Sequence, residues 1–248
     1  MKKLFFILFY LISAPTFAQW KSYYPETNES KKGVKEQNQE KDNFLFNQYL
    51  FNALKAKSLE NFDESLKFFQ KCIKLDDSQA VPFYESAVIN KEHGNFDLAT
   101  EQIKKAVAIE KDNRWFVIAY AEILFSNQDF KNAAIKYKKL IALEPGNEEF
   151  YFMLSDTYIY ANDFEKAIAV YDELEKHKGV DKVISMQKHK LYREINNMKG
   201  AIKELQSILN AFPDDIEAME ILSELYLLND EKEKAFELFK KIAVLAPE

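Results

Sequence analysis

Small residues recur along this chain with large apolar partners at fixed distances. Ser65, Ala99, Ala133, Ala167, Ala201 and Ala235 stand 34 residues apart, without insertion or deletion. Three places before each come Phe62, Phe96, Phe130, Phe164, Met198 and Lys232, and four places after come Phe69, Ile103, Tyr137, Tyr171, Leu205 and Phe239. Seven places after stand Cys72, Ala106, Leu140, Leu174, Ile208 and Ile242; twelve places before stand Ala53, Ala87, Ala121, Ser155, His189 and Ser223. Spacings of three, four and seven put such residues on one face of an α-helix. A small residue on each of two facing helices permits close approach, and the large side chains fill the gaps beside the contact. Frames starting at 46, 80, 114, 148, 182 and 216 therefore each read as an antiparallel helix pair. An unbroken period of this length means stacked supersecondary units.

The polar positions keep the same clock. Within frames, Glu60-Asn61, Gly94-Asn95, Gln128-Asp129, Asn162-Asp163, Asn196-Asn197 and Asp230-Glu231 supply turn and N-cap chemistry. Between frames, Pro145, Pro213 and Pro247 fall at matching places. The segments AEILFSNQDFKNAAIKYKKLIALEPGN (121–147) and LSDTYIYANDFEKAIAVYDELEK (154–176) carry small, aromatic, small, aromatic and proline positions in an order that resembles the tetratricopeptide repeat. The resemblance covers residues 46–248. It implies an all-α, right-handed superhelical solenoid of six helix-turn-helix repeats, whose first helices line a concave groove for a protein or peptide partner. Departures are local: the fifth frame has Lys188-His189 in place of an apolar and a small residue, and Lys178-Gly179-Val180 just before it replaces a proline turn. A distorted joint is expected at 177–190.

Outward places of the first helices give the expected groove: Phe51, Tyr84, Glu85, Trp115, Ile118, Glu122, Phe152, Met153, Asp156, Lys190 and Arg193. Trp115 and Tyr84 head this set, whereas Phe125 and Tyr160 read as packing between repeats. Apolar anchors with acidic neighbours suit an extended or helical peptide that carries some positive charge. Two other readings stay open: a carbohydrate-binding or uptake accessory, because aromatic faces also hold sugars, and the N-terminal repeat region of a longer protein whose activity lies beyond residue 248.

The N-terminus adds a location. Lys2 and Lys3 precede an apolar run over residues 4–13, and Ala14-Pro15-Thr16-Phe17-Ala18 ends in small residues suited to cleavage. This pattern predicts a secretory signal peptide over 1–18; the run is shorter than the ~20 residues of a membrane span, so membrane contact is expected only through an uncleaved segment. Residues 19–43 hold few aliphatic residues and read as a flexible tether before the solenoid of 44–248. The expected setting is the periplasm or envelope of a bacterium, and the chain resembles exported multi-repeat proteins of Bacteroidota-type bacteria.

Composition narrows the chemistry. A net charge of −6 argues against nucleic acid, whose phosphates require a basic surface. Cys72 sits in a column of buried-type residues, and His93, His177 and His189 lack metal-ligand spacing. Neither a catalytic group, a metal nor a cofactor is expected. At the C-terminal edge, Phe236, Phe239, Ile242 and Leu245 form an apolar flank that a partner, a second copy or a continuing array would cover.

Overall fold

The computed structural model describes residues 34–246, with side chains from residue 40 onward; the expected signal peptide and most of the expected tether lie outside the described residues. The chain divides into two units at the boundary between Leu45 and Phe46. The described part of the first is the opening stretch of helix α1 (Val34–Ser58). Residues 34–43, expected in the tether, are thus helical. Their sequence is mostly Lys, Glu and Gln, which lose little side-chain freedom in a helix, and propagation from an existing helix is far easier than nucleation.

Eleven further helices follow in the second unit: α2 (Phe62–Leu75), α3 (Ala80–Glu92), α4 (Phe96–Ile109), α5 (Arg114–Ser126), α6 (Phe130–Leu143), α7 (Glu148–Tyr160), α8 (Phe164–Lys178), α9 (Lys182–Glu194), α10 (Met198–Ala211), α11 (Ile216–Leu228) and α12 (Lys232–Leu245). No strand occurs among the described residues. Odd-numbered helices are the first members of the six frames and even-numbered helices the second.

One hydrogen-bonding pattern joins the two helices of every frame. At the fifteenth place the backbone turns left-handed: Glu60, Gln128, Asn162, Asn196 and Asp230 have φ of 55–60°, and Gly94 has φ 75°. The next amide reaches back across the turn, as in Asn61 N to Ala56 O (2.9 Å), Asp129 N to Leu124 O (2.8 Å) and Asn197 N to Tyr192 O (2.7 Å). This six-residue closure satisfies carbonyls that the helix end leaves open. The same residue then begins the following helix: side chains of Asn61, Asp129, Asp163 and Asn197 accept from backbone amides three places on.

Packing follows the small-residue columns. Ala53, Ala87, Ala121, Ala99, Ala133, Ala167, Ala201 and Ala235 are fully buried, beside equally buried Phe69, Ile103 and Leu205. At Ser65 the close approach is sealed by its hydroxyl, which donates to Ala53 O at 2.9 Å. Gly200 brings α10 still closer to α9, since a Cβ there would meet Tyr192 Cδ1 at 2.5 Å.

The joint expected to be distorted is where the apolar core divides. One cluster runs from Ala80 to Leu191 and another from Met186 to Ala235. Across the division stands Lys188, buried on α9, whose Nζ contacts Asp172 (2.6 Å), Glu175 (2.8 Å) and Glu204 (3.0 Å). Ser185 Oγ also donates to Glu175, at 3.1 Å. Burial alone would depress the Lys188 ammonium, but its three carboxylate partners outweigh that and hold its pKa well above the usual lysine value. The fifth repeat is therefore fastened by ionic contacts where its neighbours use apolar ones. His189 fits the small-residue column by burying its ring and hydrogen-bonding Met186 O through Nδ1 at 2.6 Å.

Candidate functional site

The first helices leave one stripe open. Places two, six, nine and thirteen of a frame share a helical face, and here that face carries Phe51 (59% exposed), Trp115 (44%), Tyr160 (52%), Val183 (59%) and Leu228 (68%). Exposed large apolar side chains thus recur on this face of the first helices, on α1, α5, α7, α9 and α11. The Trp115 indole is steadied from its own helix: Asn113 caps the backbone amide of Trp115 at 3.2 Å, and the Arg114 guanidinium lies 4.8 Å from the indole centre.

Charges on these helices fall into two groups. In the first two repeats a lysine at the twelfth place pairs with a carboxylate of the next repeat: Lys57 with Glu85 (2.6 Å) and Lys91 with Glu122 (2.7 Å). Phe125 holds that place in the third repeat and contacts Phe130 and Tyr160, at centroid distances of 5.5 and 5.0 Å. Asp156 on the α7 helix has no cationic partner among the described residues. Water still reaches it, yet protein crowds it from the sides, and this desolvation raises its pKa. Beneath lies the Tyr137 hydroxyl, held well above the usual phenol value first by burial and then by the negative field of Glu122, Asp156 and Glu149. One repeat further, Lys190 and Arg193 are exposed and form no ion pair among the described residues.

The residues expected from the sequence divide on exposure. Phe51, Trp115, Asp156, Lys190 and Arg193 face water. Tyr84, Glu122, Phe152 and Met153 are half-buried; Tyr84 stacks on Phe116 (4.9 Å), and burial, with Glu85 and Glu122, pushes its hydroxyl up to about 12. Phe152 meets Tyr171 edge-on at 5.8 Å. Ile118 is buried in the core and Glu85 is buried against Lys57, so neither presents a free contact surface. The fifth place of the frame points toward the neighbouring repeat, which explains Ile118. Phe125 and Tyr160 pack together across repeats three and four as expected, although Tyr160 keeps its outer face open. Val183 was not singled out; the signal was its place, two into the frame, shared with Trp115.

The described residues hold no cluster of three or more His, Cys, Asp or Glu side chains arranged for a metal. Cys72 is fully buried, and desolvation pushes its thiol up to about 12, which keeps it protonated and inert. No described helix is long and apolar enough to cross a membrane.

Paired antiparallel helices at constant register, closed by one repeated turn, define a helical-repeat protein. Family models of the tetratricopeptide repeat match residues 124–185 and 56–79, and the chain is a tetratricopeptide-repeat protein of six repeats. No curated relative matches. Among solved structures, a chain of the Naa15/Naa10 complex bound to HypK-THB superposes with a TM-score of 0.68 at 16% identity, over 86% of this chain and 33% of that one. This chain thus spans a third of that neighbour's length. A tetratricopeptide repeat protein from Parabacteroides merdae ATCC 43184 superposes with a TM-score of 0.55 at 12% identity, over 82% of this chain and 81% of that one. At these identities the likeness is one of fold.

Proposed function

We propose that the protein is a non-enzymatic scaffold of the bacterial envelope that holds a peptide or protein segment in the groove lined by its first helices. The observation that carries this reading is the open stripe of Phe51, Trp115, Tyr160, Val183 and Leu228, set on a rigid stack of helices. Exposed aromatic anchors on a preorganised surface supply most of the affinity in protein recognition. The envelope setting rests on the Lys2-Lys3 start, the apolar run and the small residues up to Ala18.

A photo-crosslinking side chain placed at Trp115 is expected to trap a protein partner in intact cells. The same group at Ile135, 53% exposed on a second helix, is the control and is expected to trap none. Equal trapping at both places, or at neither, removes the groove reading. N-terminal sequencing of the protein from the envelope fraction is expected to begin at Gln19, and recovery from the cytosol alone overturns export.

A further inference from the structure

The ladder of ion pairs between first helices stops midway, and we propose that a lysine or arginine side chain of the bound segment supplies the missing rung at Asp156. This inference rests on the groove reading above and adds to it the chemistry and register of the ligand.

Lys57 and Lys91 show what a complete rung is: a cation at the twelfth place reaching a carboxylate of the next repeat at 2.6 or 2.7 Å. Phe125 occupies the next such place and is committed to Phe130 and Tyr160. The fourth repeat continues with Ile159, so the chain offers Asp156 no cation from that column. Asp156 has surrendered part of its water without gaining a charge partner, a state that an incoming cation relieves. Glu149, on the same α7 helix, also lacks an ion pair among the described residues and adds to the negative field converging on Tyr137.

The next band has the opposite sign. Lys190 and Arg193 on α9 stand exposed and unpaired. Charge complementarity therefore favours a segment with a basic residue over Asp156 and an acidic one over Lys190 and Arg193. Neighbouring first helices lie on the order of 10 Å apart, a distance that an extended segment at ~3.3 Å per residue covers in about three positions. Half-buried Phe152 and Met153, one turn before Asp156 on α7, offer apolar contact beside the carboxylate.

The test is selection of a displayed library of random peptides on the wild-type protein and on Asp156→Asn, Asp156→Lys and Trp115→Ala. Asp156 and Trp115 are exposed, and thermal melting verifies that each variant is folded. Wild type is expected to enrich one Lys/Arg position, with an acidic residue about three positions away. Asp156→Asn is expected to lose that basic preference and to bind the selected peptides at least about tenfold more weakly. Asp156→Lys is expected to prefer an acidic residue at the same position. If wild-type peptides lack a basic position, or Asp156→Asn retains it, the rung is wrong, while the groove reading survives provided that Trp115→Ala loses binding. If Trp115→Ala binds the selected peptides like wild type, or no peptide is enriched, the groove reading falls together with the rung.

Discussion

Lys188 Nζ lies 3.0 Å from Glu204 Oε1 in a site where the two side chains keep only 5% and 8% of their surface open to water. Asp172 and Glu175 complete the contacts, so one ammonium serves three carboxylates. Burial raises the pKa of Glu204, with the Lys188 ammonium opposing the rise. Removing the cation leaves a buried carboxylate beside two further negative charges. Lys188→Met is expected to cost about 3–5 kcal/mol. Urea denaturation measures this, and a loss below about 1 kcal/mol would show that the node is not a fastening.

Gly200 and Tyr192 set the spacing of the fifth pair. An alanine within a helix usually adds about 1 kcal/mol over glycine, but at Gly200 its methyl group would meet the ring at 2.5–2.7 Å. Gly200→Ala is expected to destabilise by about 1–3 kcal/mol, and adding Tyr192→Leu is expected to recover part of the loss. Additive effects of the two substitutions would show that the contact does not couple them.

The left-handed turn residues offer a test of opposite sign. Glu60 and Gln128 sit at φ 58° and 60°, where a side chain costs about 1–2 kcal/mol. Glycine avoids that cost but loses more freedom on folding. Glu60→Gly and Gln128→Gly are each expected to stabilise by up to about 1 kcal/mol, and Gly94→Ala to destabilise by a similar amount. Thermal melting points of the three variants check the signs.

His189 makes stability depend on pH. Burial lowers its pKa from 6.5, opposed by the hydrogen bond to Met186 O, with Lys190 and Arg193 adding to the lowering. A carbonyl only accepts, so Nδ1 carries the proton of the neutral ring. Below pH 6.5 the unfolded imidazole takes up a proton that the folded one resists, so the unfolded chain binds more protons and stability decreases as the pH is lowered. Wild-type stability is expected to drop as the pH is lowered below 6.5, and His189→Ala to flatten that slope whatever its absolute stability. Parallel profiles for the two proteins would remove His189 as the cause.

Ile118 separates stability from binding. Ile118→Ala is expected to lower stability by about 2–5 kcal/mol, because the side chain is 9% exposed within the core. Trp115→Ala, 44% exposed, is expected to change it by less than about 1 kcal/mol. Denaturation midpoints of the two variants decide this.

The repeat was fully legible because its determinants are local and periodic: Ala99 and Ala133 occupy equivalent contacts, and their shared phase reports it. Exposure at the fifth and sixth places was less legible. Phe51 and Glu85 share a place in the frame, yet one is 59% exposed and the other 8% exposed and bound to Lys57. What decides that difference is the residue on the adjoining repeat, which no column contains. Lys188 gave the same lesson, since the sequence marked it as a departure while its three partners lie on two other helices. The early start of α1 was missed because a polar stretch with good helix formers and a polar tether have similar compositions.

In each frame one residue ends the first helix and starts the second, such as Asn61 or Asn197. Adding or deleting one residue there unseats two helix ends together. Length can vary only between frames, as where α8 runs to 15 residues and the chain still returns in phase at Lys182. The helix pair, and not the single helix, is thus the smallest piece of this protein that can be cut out, duplicated or exchanged.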